Sequence, residues 1–438
     1  MLNVLFKPHR EYFKAETDEP QKLFAMLRVI PEQVVSEARP PLAIALVVDT
    51  SDSMRAPANH KTKLDYAIEA AHKLIDDEFL IETDLVSIIQ FEDESDVILP
   101  LSPLRDKNHV HQLIEHIRNY SGATFMGKGL MNAFQQLSKE APQISKRVIL
   151  LTDGRTFDEA MCRSVMQQLA DTNAPVVSIG IGLEYNQALL REISNETKGY
   201  HLHLTDIRSL QNFFAAEIKA MVKEVVTDLQ ARVAAVKGVT LNSITRVYPN
   251  LIEASLTEQP YRLGNIVAGD YTVFIFEFTI SDVFRPPSRV RVSRINITGS
   301  IPSGQKKTGE LPQQELFVVF TKDETLIPKV DPEVLDYVQQ KNLDRLVYQA
   351  MGMATKGNVA GALRTLHMAQ NITQQVQNVQ ATQLLKNALD ELSKTGVISP
   401  NTVRTVVASS RTMTIKSTRT ALKDIKISEE EIRKLTGA

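Results

Sequence analysis

Five oxygen-bearing side chains carry the chemistry this sequence offers: Asp49, Ser51 and Ser53 in one short stretch, Thr124 in a second, Asp153 in a third. The first three follow the unbroken apolar run 43–48, which reads as a strand buried on both faces, as in a parallel sheet. In an open α/β sheet, ligand crevices lie outside the carboxyl ends of the strands, so these oxygens face a candidate site. Ser121-Gly122-Ala123-Thr124 adds a hydroxyl in a small-residue loop ahead of a helix. Thr152-Asp153-Gly154 ends a second apolar run at 148–151 with a carboxylate and a glycine turn. An all-oxygen set suits a hard cation such as Mg²⁺ far better than zinc or copper. The plain alternative is turn chemistry, in which Asp49 and Ser51 only cap loops and the following helix.

Other motifs are weaker. Residues 122–129 fit the first seven positions of a phosphate-binding glycine loop. The eighth is Gly129 where Ser or Thr should hold Mg²⁺, and the preceding 109–120 reads as a helix where a strand is required. His111 and Glu115 stand four apart on one helix face with no third ligand in view, so His109, His111 and His116 read as a solvated helix. Cys162 lies in a helical stretch without a paired histidine, which argues against a catalytic thiol.

The elements that must position the five oxygens alternate. After the strand from Leu42, the residues Leu64, Ile68, Ala71 and Ile75 fall on one helix face. Strands follow at 85–91, 97–99, 148–151, 176–181 and 200–204, with helices between, which predicts a doubly wound, mostly parallel α/β sheet. The acidic turn Glu92-Asp93-Glu94 reads as a solvated hairpin tip. From 226 to 325 the helical period is lost and aromatic, β-branched runs such as 271–278 predict an all-β sandwich. Two N-terminal runs within 1–38 read as strands joining that sandwich, which would make 40–225 an insertion in it. Asp331-Pro332 opens a helical region spanning 331–411. The stretch after Ser399, dense in hydroxyls and basic residues, reads as flexible; 412–438 is taken as a tail ending in a short capped helix at Ser428-Glu429-Glu430-Glu431.

In this order and spacing, the three oxygen-bearing stretches resemble the von Willebrand factor A domain and its metal-ion-dependent adhesion site, over roughly residues 40 to 225. The resemblance implies a Rossmann-like domain in which Asp49, Ser51, Ser53, Thr124 and Asp153 hold Mg²⁺, with Mn²⁺ or Ca²⁺ as alternatives. It leaves one coordination position open to a partner's acidic side chain. Asp52 departs from the family, where glycine is common. The function implied is a non-enzymatic, intracellular protein-interaction scaffold. The alternative is a non-catalytic subunit of an ATPase- or kinase-associated complex, chelatase-like or beside an AAA+ ATPase, although the acidic, proline-rich linker typical of chelatase subunits is missing.

Composition agrees with an ordinary globular protein: 438 residues, 43% hydrophobic, formal charge −2. That balance gives no argument for nucleic acid or a membrane surface. No apolar run approaches the roughly 20 residues of a membrane span. The single Cys162 cannot pair within the chain, which fits a reducing compartment, and the N-terminus lacks a signal-peptide layout, so the expected location is cytoplasmic.

Overall fold

The computed structural model describes residues 2–31, 40–141, 143–282, 284–300, 309–419 and 425–426. At its centre is a six-stranded sheet in the order Tyr200–Leu204, Val176–Ile181, Ser145–Thr152, Leu42–Asp49, Leu85–Phe91, Ser95–Pro103. All pairings are parallel except the last, an antiparallel hairpin. Every side chain of Leu42–Asp49 is buried, because helices cover both faces of the sheet. That is why the run carries no alternation. Lys63–Ile75 and Leu210–Val222 cover one face and Met126–Leu137, Glu159–Asp171 and Gln187–Glu196 the other.

Two helices matter for the site. Lys63–Ile75 begins with a reciprocal capping box, in which Thr62 and Asp65 satisfy each other's backbone amides. Met126–Leu137 lies so close on the sheet that a Cβ on Gly129 would come within 2.8 Å of the Phe91 ring and 3.0 Å of Val47. A glycine is required there for the loop before the helix to reach the strand ends.

The second unit is a sandwich. One sheet runs Leu2–Pro8, Gln21–Pro31, Thr272–Ile280, Val239–Tyr248, Ile252–Glu253. The other runs Tyr261–Val267, Glu224–Ala235, Ser288–Ser300, Gln314–Thr321, Tyr12–Lys14. The N-terminal strand Gln21–Pro31 pairs with Thr272–Ile280 along nine residues, so the α/β unit sits between strands of one sandwich.

The C-terminal helices are Pro332–Thr355, Val359–Gln375, Val379–Thr395 and Pro400–Thr412. The last corrects the reading of a flexible stretch after Ser399: Ser399 caps it, Pro400 fills its first turn, and Val406 and Val407 are buried against the helices before it. The short helix read at Ser428 lies outside the described residues.

Helix Pro332–Thr355 docks on the sandwich through Val334, Tyr337 and Val338 against Phe24, Met26, Val273 and Ile275. Beside that contact Glu277 accepts from Lys341 at 2.6 Å and Lys22 at 2.8 Å. Burial alone would push the Glu277 carboxyl up, but Lys341 and then Lys22 outweigh it and hold it at about 2. A depressed carboxyl stabilises the fold above its unfolded value of 4.5 and loses that contribution as pH falls toward 2. Glu277→Gln should therefore lower stability at neutral pH by about 2 kcal/mol and flatten the acid limb of the stability curve below pH 4.5, measurable by urea unfolding across that range.

Candidate metal centre

The five sequence-predicted oxygens come from three loops at one edge of the central sheet. Asp49 ends its strand fully buried. Its Oδ1 accepts from the Ser51 amide at 2.9 Å and its Oδ2 from the Thr152 hydroxyl at 2.6 Å. The Ser51 and Ser53 hydroxyls lie 3.1 Å apart, and Ser53 donates to Asp153 Oδ1 at 2.6 Å. Gly154 reports on Thr124: a Cβ built there would lie 3.1 Å from Thr124 Oγ1 and 3.6 Å from Ser53 Oγ. The structure thus brings the five together around one small space. Asp49, Ser51, Thr124 and Asp153 are buried, whereas Ser53 is exposed, so the cluster opens to solvent on one side.

The backbone holds these loops to each other. The Asp52 amide donates to Gly122 O at 2.9 Å, tying the first loop to the second. The Phe157 amide donates to Thr124 O at 2.9 Å, tying the third to the second. Asp158 caps the helix after Thr124 by accepting from the amides of Gly127 (3.0 Å) and Lys128 (3.2 Å). Thr50 anchors the first turn below, donating to Gln90 Oε1 at 2.8 Å.

Burial pushes the Asp49 carboxyl up to about 6, partly offset by the hydrogen bonds from Ser51 and Thr152 and reinforced by the charge of Asp153. Two carboxylates with little water around them and three hydroxyls beside them match the donor set of a hard divalent cation. Among the described residues no group of three or more His, Cys, Asp or Glu side chains stands where it could hold a metal, so a cation here depends on the hydroxyls. The residues fit the group.

Two features of this edge, Lys63 and Thr152, had escaped sequence reasoning, whereas Phe125 to Lys128 and Arg155 to Phe157 follow from it as the rim. Lys63, the first residue of its helix, reaches Asp153 Oδ2 with its ammonium at 2.5 Å, supplying a cation from within the chain. The only sequence signal for it was a lysine directly after the Thr62 cap. Thr152 braces Asp49 although it sits before the motif residue. Phe157 is 74% exposed and lies 5.7 Å, centroid to centroid, from Phe125. Arg155 is also exposed here, whereas Met54 turns inward to the core.

The decoys resolve. Gly122 to Gly129 forms a loop and helix start with a 3-10 turn, His116–Asn119, ahead of it in place of a strand. His111 meets His72 at 2.7 Å between ring nitrogens and Asp76 at 3.0 Å, in a surface cluster where Glu115 accepts from His72. Burial, with Asp158 nearby, pushes the Cys162 thiol well above its ordinary range, leaving it inert.

Residues 43–216 match the family model of the von Willebrand factor type A domain, and residues 332–416 that of the Sll0103-like, C-terminal alpha-helical domain. Among solved structures, the chain is similar to a von Willebrand factor type A protein from Catenulispora acidiphila, with a TM-score of 0.81 at 18% identity, covering 95% of this chain and 97% of that one. It is also similar to the ArnB paralog VWA2 from Sulfolobus acidocaldarius, with a TM-score of 0.62 at 16% identity, covering 95% and 100%. These likenesses extend the shared fold beyond the α/β unit. The collagen alpha-6(VI) chain of Mus musculus is 30% identical over 152 residues, 33% of this chain. The human chain of the same name is 29% identical over 187 residues, 40% of this chain. This chain spans only 6% and 8% of those two proteins.

Proposed function

We propose that this chain, whose residues 43–216 form a von Willebrand factor type A domain, binds a divalent cation through Asp49, Ser51, Ser53, Thr124 and Asp153 and uses it to capture an acidic side chain of a protein partner. The observation that carries this reading is the single cluster of buried carboxylates and hydroxyls, open on the side of exposed Ser53. Mg²⁺ is the cation favoured by an oxygen-only set; when bound it supplies a Lewis-acidic position for an anionic oxygen. The chain's own residues do the rest. Asp49 and Asp153 neutralise the ion, the backbone ties between the loops fix the hydroxyls, and the surroundings select the partner.

Those surroundings include an apolar element. Phe157 beside Phe125 offers an aromatic surface next to the carboxylate's position, and exposed Arg155 a second charge for it. A partner presenting Glu or Asp next to an apolar side chain satisfies both. The proposed role is a non-enzymatic, scaffold-type interaction. The lone buried Cys162 suits the reducing interior of a cell, and among the described residues no helix is long and apolar enough to cross a membrane. The test is capture of partners in Mg²⁺ and in EDTA, with wild type and Thr124→Ala. The proposed mode requires the principal partner to be lost in EDTA and in the variant; a partner retained in both docks elsewhere.

Lys63 gives a second expected result. Its ammonium occupies one oxygen of Asp153, so a cation entering the cluster must displace it or share that carboxylate with it. Lys63→Met removes the competitor and a like charge, and Mg²⁺ affinity by calorimetric titration should rise about tenfold. Equal or weaker binding would show that Lys63 orients Asp153 instead of opposing the metal.

A further inference from the structure

Away from the metal centre, a cleft of about 610 Å³ lies where the α/β domain, the sandwich and the C-terminal helices meet. Helix Gln187–Glu196 contributes Arg191, strand Val239–Tyr248 contributes Thr245, helix Pro332–Thr355 contributes Asp344, Arg345 and Tyr348, and helix Pro400–Thr412 contributes Arg411. The volume is within the range of small-molecule sites, and junctions between domains are where such sites concentrate.

Its charges do not balance. Asp344 is shared by two guanidiniums, Arg191 at 3.4 Å and Arg411 at 3.1 Å, and also takes the Ser410 hydroxyl at 2.5 Å. Arg345 bonds only the side-chain oxygen of Asn342, at 2.8 and 3.1 Å, and has no carboxylate in ion-pair range among the described residues. Of the other charged walls, Lys341 is neutralised by Glu277 and Glu192 by Arg163. Three guanidiniums therefore face two carboxylates, Asp344 and Glu253. Burial, together with Arg411, pushes the Arg191 guanidinium below its ordinary range against the pull of Asp344.

Its donors are also unspent. Arg191 Nη1 and Thr245 Oγ1 are buried with no hydrogen-bond partner, and Thr245 as a whole is 1% exposed. Buried polar atoms are almost always paired, so two such atoms on residues lining one cleft, from two different units, point to a missing acceptor. Tyr348, by contrast, is 61% exposed, and the Arg191 guanidinium carbon lies 5.3 Å from its ring centre. Such a ring is a platform for the body of a ligand.

We propose that this junction cleft binds a small phosphate ester, its phosphate held by Arg191, Arg345 and the Thr245 hydroxyl and its organic body packed on Tyr348. A carboxylate has two oxygens for this donor set; a phosphate monoester presents three and carries about −1.5 to −2 charges, matching guanidinium forks. Arg191 Nη1 and Thr245 Oγ1 are both closed to solvent here, so their engagement requires the side chains over them, the exposed Tyr348 ring beside Arg191 among them, to turn aside. Because the ligand touches all three units, its binding holds them in this arrangement and raises the stability of the whole chain.

The experiment is calorimetric titration of the full chain in EDTA, which removes any metal-bridged phosphate, with adenosine 5′-monophosphate, inorganic phosphate and uncharged adenosine as probes. The proposal expects the monophosphate to bind, inorganic phosphate to bind more weakly, and adenosine not to bind. Arg345→Gln, at an exposed position, and Thr245→Val, of equal volume, should each weaken the monophosphate about tenfold or more while the ligand-free melting temperature is kept. Absence of binding by both phosphates overturns it. So does binding that is unchanged in both variants, or adenosine binding as tightly as its monophosphate.

Discussion

Asp49→Asn is expected to weaken Mg²⁺ binding by at least about 100-fold while leaving the chain folded. The amide keeps the shape of the carboxylate and still offers an oxygen to the Ser51 amide or the Thr152 hydroxyl. What disappears is one of the two negative charges that balance the cation. Stability without metal should not fall, because the native carboxylate is itself disfavoured: burial pushes it up to about 6, so at neutral pH the fold carries an ionised group that burial disfavours. The variant separates the two roles. Wild type should gain about 2.7 kcal/mol of unfolding free energy at a Mg²⁺ concentration a hundred times its dissociation constant, and Asp49→Asn almost none. Calorimetric titration with melting curves in Mg²⁺ and in EDTA reads both quantities. Undiminished binding in this variant and in Asp153→Ala would remove the cluster as the cation site.

The five oxygens were legible because each sits at a strand end or a loop that local sequence defines. An all-apolar run such as 43–48 announces a doubly covered strand, and whatever follows it stands at the sheet's edge. The α/β alternation and the C-terminal helices followed from the same periodicities. Helix Pro400–Thr412 was only half read, inside the helical span 331–411 yet flexible after Ser399: Ser399-Pro400 is a cap-and-proline start, and Val403, Val406 and Val407 recur at helical spacing, but the hydroxyl-rich composition outweighed that pattern. Lys63 over Asp153 and the Thr152 brace on Asp49 join residues 90 and 103 positions apart, and no local pattern encodes such pairings. The junction cleft is further removed still, since its walls come from three units whose docking depends on side chains distant in sequence.

The joint between the α/β domain and the sandwich should be the chain's most fragile polar element. The chain leaves the inserted domain through helix Leu210–Val222 and enters the sandwich at Glu224. Glu224 is buried and accepts from Arg147 at 2.5 Å, Ser145 at 2.5 Å and Asn265 at 2.8 Å. Arg147 also pairs with Glu217 at 2.8 Å, and Glu217 accepts from the Tyr200 hydroxyl. Burial works against the charge on Arg147, but Glu224 and then Glu217 more than offset it and hold the guanidinium above its ordinary range. Arg246, buried beside this network, is only partly offset: burial first, then the like charge of Arg147, lowers it to about 10 against the weaker pull of Glu224. Removing Glu224 therefore leaves two buried guanidiniums with one fewer carboxylate, and Ser145 and Asn265 without their acceptor. Glu224→Ala should destabilise the chain by about 3–5 kcal/mol, the range for breaking a buried pair from one side. Replacing both partners, as Arg147→Met with Glu224→Leu, should lose less than the sum of the single changes, because neither charge is then stranded. Denaturant midpoints of the singles and the double close that cycle. A Glu224→Ala loss below about 1 kcal/mol would show that apolar packing, and not this network, joins the two units.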